Sequence, residues 1–176
     1  MAESAFVAFV TQAEALVGDL RAQHDPSALQ QVSAHITVLF PFMEPAALST
    51  HVLQRCAAVI ASHQSFSFAL PSVGRFPATA YLEPVPPQPF IQLTHALWHA
   101  YPAFPPFRGE FPTVVPHLTV AHGNAIAAGL VASELAGRLD VSGPVRAACT
   151  SLALIENSSG HWRQLHVFPL APEPGV

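Results

Sequence analysis

The chain has no lysine. That absence removes the phosphate-gripping Lys of a P-loop, the amine of a Schiff-base enzyme and the lysyl-adenylate of a nucleotide-dependent ligase. Charge of either sign is sparse: charged residues make up 10% of the sequence and the net charge is −4. The seven basic side chains, Arg21, Arg55, Arg75, Arg108, Arg138, Arg146 and Arg163, are scattered along the sequence. So few cations exclude broad electrostatic binding to duplex DNA, whereas a small anion or the end of an RNA strand needs fewer contacts. No apolar run reaches the roughly 18 residues that a membrane-spanning helix needs. The start, Met1 to Ser4, lacks the basic n-region of a secretory signal, so a cytoplasmic protein is expected. There are two cysteines, Cys56 and Cys149, and no Cys-x-x-Cys pair. Both fall in apolar patterns, as buried free thiols do.

What is abundant is apolar: hydrophobic residues are 51% of the 176, enough for a sizeable core in one compact unit spanning 1–176. Ala5–Val10 reads as a strand. Thr11-Gln12-Ala13-Glu14 has capping-box spacing before a helical stripe at Ala13, Leu16, Val17 and Leu20. His35–Phe40 reads as a strand. Pro45 suits the first position of a helix that continues through Leu48, Val52, Cys56, Val59 and Ile60. Phe66, Phe68 and Leu70 alternate as in a half-buried strand, and Thr79–Leu82 is a short strand bounded by Pro77 and Pro84. Phe90, Leu93, Leu97, Trp98 and Tyr101 give a further helical stripe. Five prolines in 102–116 mark an ordered loop that leads into a strand at His117–Ala121. Leu130, Val131, Leu135 and Leu139 predict a helix ending near Asp140. Val145–Ile155 and Trp162–Phe168 read as two strands joined by a polar turn, and Ala171–Val176 as a frayed tail.

Within this pattern one word occurs twice. Ser33-Ala34-His35-Ile36-Thr37-Val38 and Val115-Pro116-His117-Leu118-Thr119-Val120 share His, aliphatic, Thr, Val, and the histidines are 82 positions apart. In a strand, residues i and i+2 point to one face, so His and Thr of each copy share a side while the aliphatic pair turns to the other. Two such strands side by side would present two imidazoles and two hydroxyls to one cleft. That set can take a proton, give a proton and donate to the oxygens of a phosphate, which is what opening a cyclic phosphodiester with water requires. A single His-x-Thr carries little information; two matched copies carry much more.

With these residues the chain resembles the two-histidine (2H) phosphoesterase superfamily, most of all its 2'-5' RNA ligase and RNA 2',3'-cyclic phosphodiesterase branch. Phe40-Pro41-Phe42 and the segment from Phe111-Pro112 to Pro116 also look like bacterial members. The resemblance implies an α+β fold of two pseudo-symmetric lobes, built around 33–40 and 115–122, with antiparallel sheets lining a central groove and helices outside. It implies that His35 and His117 are the acid–base pair and that Thr37 and Thr119 hold the non-bridging phosphate oxygens. In the preferred split His117 activates water and His35 protonates the leaving 3'-oxygen. It implies no cofactor and no metal, and a reverse ligation that needs no ATP. The expected partner is an RNA 2',3'-cyclic phosphate end or a small cyclic nucleotide, bound by a monomer without membrane or duplex DNA.

This chain departs from relatives that ring the groove with basic residues. Arg108, beside the second motif, is the first candidate to hold substrate, ahead of Arg75, Arg146 and Arg163; Phe42, Tyr81 and Phe107 are candidates to stack a base. His122 is expected at the groove edge. His95 and His99 stand i, i+4 on a helix, but the Glu of a zinc-protease motif is missing between them. Alternatives are another nucleotide ester as substrate (an ADP-ribose cyclic phosphate or a 2'-5' oligoadenylate), a non-catalytic binder of nucleotides or RNA ends, and a histidine-rich metal binder.

Overall fold

The computed structural model describes residues 2–173. Eight strands form one sheet: β1 (Ser4–Phe9), β2 (His35–Leu39), β3 (Phe66–Phe76), β4 (Thr79–Val85), β5 (Leu118–His122), β6 (Val145–Cys149), β7 (Ser151–Glu156) and β8 (Arg163–Pro169). Their spatial order is β6-β3-β4-β5-β2-β1-β7-β8, and every pairing is antiparallel. The helices are α1 (Glu14–His24), a single turn α2 (Pro26–Leu29), α3 (Thr50–Ala61), α4 (Gln88–Ala100) and α5 (Ala125–Ser142). The sheet curls as a half-barrel within an α+β architecture. The expected lobes are present as its two halves, but they share one continuous sheet because β2 pairs directly with β5.

The main core lies between one face of the sheet and the helices. Phe6, Ala8, Ile36, Val38, Leu82, Leu118, Val120 and Leu154 meet Val17, Cys56, Ile60, Phe90, Leu97, Val131 and Leu135 there. The groove face is therefore the one the helices leave free. The apolar residues of the motifs alternate into that core, and so the polar ones must alternate out of it.

Several sequence expectations give way to tertiary contacts. The Thr11–Glu14 capping box does not form: Thr11–Ala13 is a 3₁₀ turn with no side-chain cap, and the Glu14 carboxylate instead accepts from Ala34 N. Pro45 opens a separate 3₁₀ turn, while α3 begins at Thr50 with Ser49 as its N-cap. β4 runs past Pro84, and β3 past Pro71. The two prolines face one another at a bulge, where Ala69 pairs with Val85 but Ser72 pairs with Glu83, so a missing donor breaks no ladder bond there. The apolar run Val145–Ile155 is two strands, broken at Thr150, on opposite halves of the sheet: β6 pairs with β3 and β7 with β1. Leu130 is not in the core stripe; it is 69% exposed, and Ala128, Val131, Leu135 and Leu139 are buried. Ala171, read as frayed, bridges to Gln64 and accepts from Ser65 N. Pro174 to Val176 of that expected tail lie outside the described residues. Cys56 and Cys149 are free and buried, and burial pushes both thiols up, to about 11 and about 12.

Candidate active site

The β2–β5 pairing sets Ile36 opposite Leu118. An antiparallel partner runs backwards, so in that register His35 faces Thr119 and Thr37 faces His117. The two identical words thereby become related by a twofold axis between Ile36 and Leu118, with histidines on one diagonal and threonines on the other. Facing pairs in such a ladder have Cβ atoms about 5 Å apart, and diagonal pairs about 7–8 Å. That diagonal is about the width of one phosphate with a hydrogen bond on either side.

The outer strands extend the pattern. One row runs Phe9, His35, Thr119, Tyr81, Gly74; the next runs Val7, Thr37, His117, Glu83, Ser72. Both motif strands carry a bulge at the same place. Phe6 pairs with Leu39 but Val7 with Thr37, and Ala80 pairs with Ala121 but Tyr81 with Thr119. The extra residue lets two successive side chains enter the core, Val38 with Leu39 and Val120 with Ala121. Alternation then resumes out of phase, which brings Phe40 and His122 back to the groove face.

The imidazoles are held alike. His35 Nδ1 is 2.8 Å from Ser33 O, and His117 Nδ1 is 2.7 Å from Val115 O. A carbonyl only accepts, so Nδ1 carries the hydrogen in both rings. Each Nε2 is left as a lone pair when the ring is neutral and as a donor when it is charged. Burial pushes both titrations below the ordinary histidine range, although the bond to Ser33 or Val115 works the other way. Proximity to His117 and Arg21 depresses His35 further while Asp25 offsets this, and His122 depresses His117.

Their surroundings differ. His35 has the edge of Phe9 against it, with centroids 6.5 Å apart. Behind it, Arg21 and Asp25 form an ion pair of 2.8 Å with side chains 2% and 4% exposed. Arg21 also donates to Val32 O at 3.0 Å, and Glu14 holds Ala34 N, so this network fixes the chain that enters β2. Asp25 caps α2 through Ser27 N. His117 instead packs on Phe76 and Tyr81, at 5.2 and 5.1 Å between centroids. Tyr81 lies flat over Gly74: a Cβ there would meet the Tyr81 ring at 2.2 Å. Gly74→Ala is therefore expected to push the ring off His117, costing roughly 1–3 kcal/mol of stability by overpacking and lowering kcat more than KM. Steady-state kinetics beside urea melts would check both.

The expected substrate-holding residues fare unequally. Phe42 does not reach the groove: it is 4% exposed and packs in the core against Phe6, Tyr101 and Phe104. Tyr81 touches the site but as the wall behind His117, itself only 5% exposed, which leaves no open face for a base. Arg108 is drawn away by an ion pair with Glu3. That pair lies at the far end of β1, six residues and roughly 20 Å along the chain from Phe9. Phe107 has φ +48° and packs its edge on Phe40 and Phe111. Arg75 turns to the helix face and donates to Ala125 O, and Arg163 pairs with buried Glu156. Arg146 is exposed on the edge strand β6. His122 reaches the groove face as expected, with Nδ1 2.8 Å from Thr79 Oγ1. Sequence reasoning missed Phe9, Gly74, Glu83 and the Arg21–Asp25 pair, for none stands near a motif in the chain. Among the described residues no group of three or more His, Cys, Asp or Glu is placed to hold a metal ion.

A family model described as the 2'-5' RNA ligase superfamily matches residues 9–161. Among curated proteins nothing matches the sequence. The fold is similar to that of E. coli LigT in its complex with 3'-AMP, with TM-score 0.60 at 17% identity over 96% of this chain and 97% of that one. The NADP+ complex of the same protein gives 0.59 at 18% over 96% and 97%. TT0787 of Thermus thermophilus gives 0.60 at 16% identity over 98% of this chain and 100% of that one.

Proposed function

The chain belongs to the 2'-5' RNA ligase superfamily, and on that premise we propose that it is a phosphodiesterase that opens 2',3'-cyclic phosphate ends of RNA or nucleotides to 2'-phosphates, without a metal. The observation that carries this is the matched Nδ1 tether of the two histidines. It leaves two Nε2 atoms free across a pair of threonine hydroxyls, so one ring can take a proton while the other gives one. His117 Nε2 removes a proton from water as its oxygen bonds to phosphorus. The bond from phosphorus to O3' breaks, and His35 Nε2–H supplies the proton to that oxygen. Thr37 and Thr119 donate to the non-bridging oxygens as charge grows on them. Exchange with solvent resets the two rings. The same steps in the same direction, with a 5'-hydroxyl in place of water, would join RNA ends in a 2'-5' linkage without ATP, and run backwards they would open that linkage to the cyclic phosphate. The 3'-AMP complex of E. coli LigT is consistent with a groove that accepts a nucleotide with phosphate on its ribose.

The pH profile follows from burial. In the free protein both imidazoles titrate below 6.5. Falling pH removes the neutral base and rising pH removes the charged acid, so kcat/KM is bell-shaped with its optimum on the acid side of 6.5 and a decline through neutrality. A bound phosphate anion favours the imidazolium, so the alkaline limb of kcat lies at higher pH than that of kcat/KM. The experiment is a 31P NMR time course on a 2',3'-cyclic nucleotide across a pH series. A 2'-phosphate product with this bell supports the proposal; a flat profile or a 3'-phosphate contradicts the mechanism or the leaving oxygen, respectively.

A further inference from the structure

The twofold axis that relates the motifs is broken by what surrounds them. Phe9 stands beside His35 where Glu83 stands beside His117; Val7 lies beside Thr37 where Tyr81 lies beside Thr119. Past the bulges, Phe40 corresponds to His122. At the positions that border the quartet, one flank of the groove is thus apolar and the other carries polar groups; Ser151 and Gln164 lie farther out on the first. The apolar flank is already packed where it borders Thr37 and His35. Ala5, Val7, Ala153 and Ile155 form a second small core, each no more than 5% exposed, closed over by Phe9, Phe40 and Trp162. Phe40 and Trp162 meet edge to face at 6.1 Å. A nucleoside attached to a phosphate on the quartet is therefore left the β3–β4 flank.

On that flank Glu83 is half-buried and directly beyond His117 in its row. Its Oε2 accepts the Ser72 hydroxyl at 2.9 Å, and among the described residues no cation is paired with it. Its Oε1 comes within 2.7 Å of where a Gly74 Cβ would be, so the glycine keeps the space around it. A carboxylate has about four acceptor sites, and one serves Ser72. An acceptor in a groove built for an anion repels the phosphate itself and suits only a ligand that brings N–H or O–H donors. In a 2',3'-cyclic nucleotide both ribose oxygens are esterified, so the donors that differ between substrates are those of the base.

We propose that Glu83, aided by Ser72, is the specificity-determining residue of the groove and that it selects guanine, whose N1–H and N2–H₂ are adjacent donors on one edge. Uracil presents carbonyls on either side of its single N–H, and adenine offers one amino group. This inference rests on the cyclic phosphodiesterase proposed above. Its test compares kcat/KM for the 2',3'-cyclic phosphates of guanosine, adenosine, cytidine and uridine in the wild type and in Glu83→Gln, an isosteric change that keeps a partner for Ser72. The guanosine-to-uridine ratio is expected to be at least about tenfold in the wild type and to fall by roughly tenfold or more in the variant, as for one charge-assisted hydrogen bond. Ser72→Ala should reduce the ratio less. A wild type without guanine preference overturns the inference. So does a variant that slows all four substrates by one factor, which is what a merely structural role produces. If the wild type turns over none of the four, the proposed activity fails on its own. Dissociation constants of 2'-GMP and 2'-UMP then read the flank separately: a guanine preference lost in Glu83→Gln supports the inference, and equal affinities overturn it.

Discussion

Replacing His117 by alanine is expected to lower kcat by roughly 10²- to 10⁴-fold, and His35→Ala to do the same. Each substitution removes the only imidazole on its strand that has Nε2 free beside the threonine pair. Neither should unfold the chain. Both rings are half-buried at the groove face and outside the apolar core, and the one bond lost in each case is from Nδ1 to a carbonyl two residues back. Circular dichroism and thermal melts close to wild type would establish that. Because the two rings act on one step, the double variant should be little slower than the worse single one. The residual rate comes from Thr37 and Thr119, which still hold the oxygens. Near-full activity in either single variant would remove that histidine from proton transfer.

The largest effect on stability is expected at Asp25. Its carboxylate, with Arg21, forms a pair whose side chains are 4% and 2% exposed. Desolvating two charges is costly, and the pair is held only because each meets the other and its neighbours: Arg21 donates to Asp25, Ser27 and Val32 O, and Asp25 accepts from Ser27 N. Asp25→Ala leaves a buried guanidinium with only the longer, 3.8 Å contact to the partly exposed Glu14, which costs about 3–5 kcal/mol. With urea slopes of about 1–3 kcal/mol/M for a domain of this class, the midpoint should fall by more than about 1 M. The same change should lower activity, because the network fixes the chain entering β2 and because Asp25 offsets the depression of His35 by Arg21. Replacing both residues by apolar ones of similar volume should restore much of the stability but not the pH profile. A loss under about 1 kcal/mol in Asp25→Ala would mean that the pair is hydrated and structurally minor.

The quartet of two histidines and two threonines was legible because it combines two signals that need no tertiary knowledge, a period-two alternation and a repetition of four residue types. Its geometry was not. The diagonal arrangement comes from antiparallel pairing of β2 with β5, a contact between motifs 82 positions apart that nothing local encodes. The bulges were equally hidden: they send Leu39 and Ala121 into the core and return Phe40 and His122 to the groove. Phe42 has the composition of a stacking residue but lies just past the first motif strand, where the chain turns into the aromatic cluster of Phe6, Tyr101 and Phe104. Arg108 looked free because its partner, Glu3, is 105 positions away. Helices with clear apolar spacing, such as α3 and α4, appeared where periodicity put them, whereas starts shifted with local competition: α3 begins at Thr50 under the Ser49 cap and not at Pro45, and the Glu14 carboxylate of α1 is claimed by Ala34 N. Glu83 had no sequence signal. Its meaning depends on standing beside His117 and on the missing side chain of Gly74, whose place the Tyr81 ring and the Glu83 carboxylate share.

The claim that two imidazoles on paired strands exchange protons across one phosphate is tested most directly by turnover of a short RNA ending in a 2',3'-cyclic phosphate, in excess EDTA, beside the His35→Ala/His117→Ala double variant. Opening of the ring by the wild type at a rate unaffected by chelator, with the double variant slower by at least about a hundredfold, is the expected result. Turnover that EDTA abolishes, or equal turnover by the double variant, would contradict it.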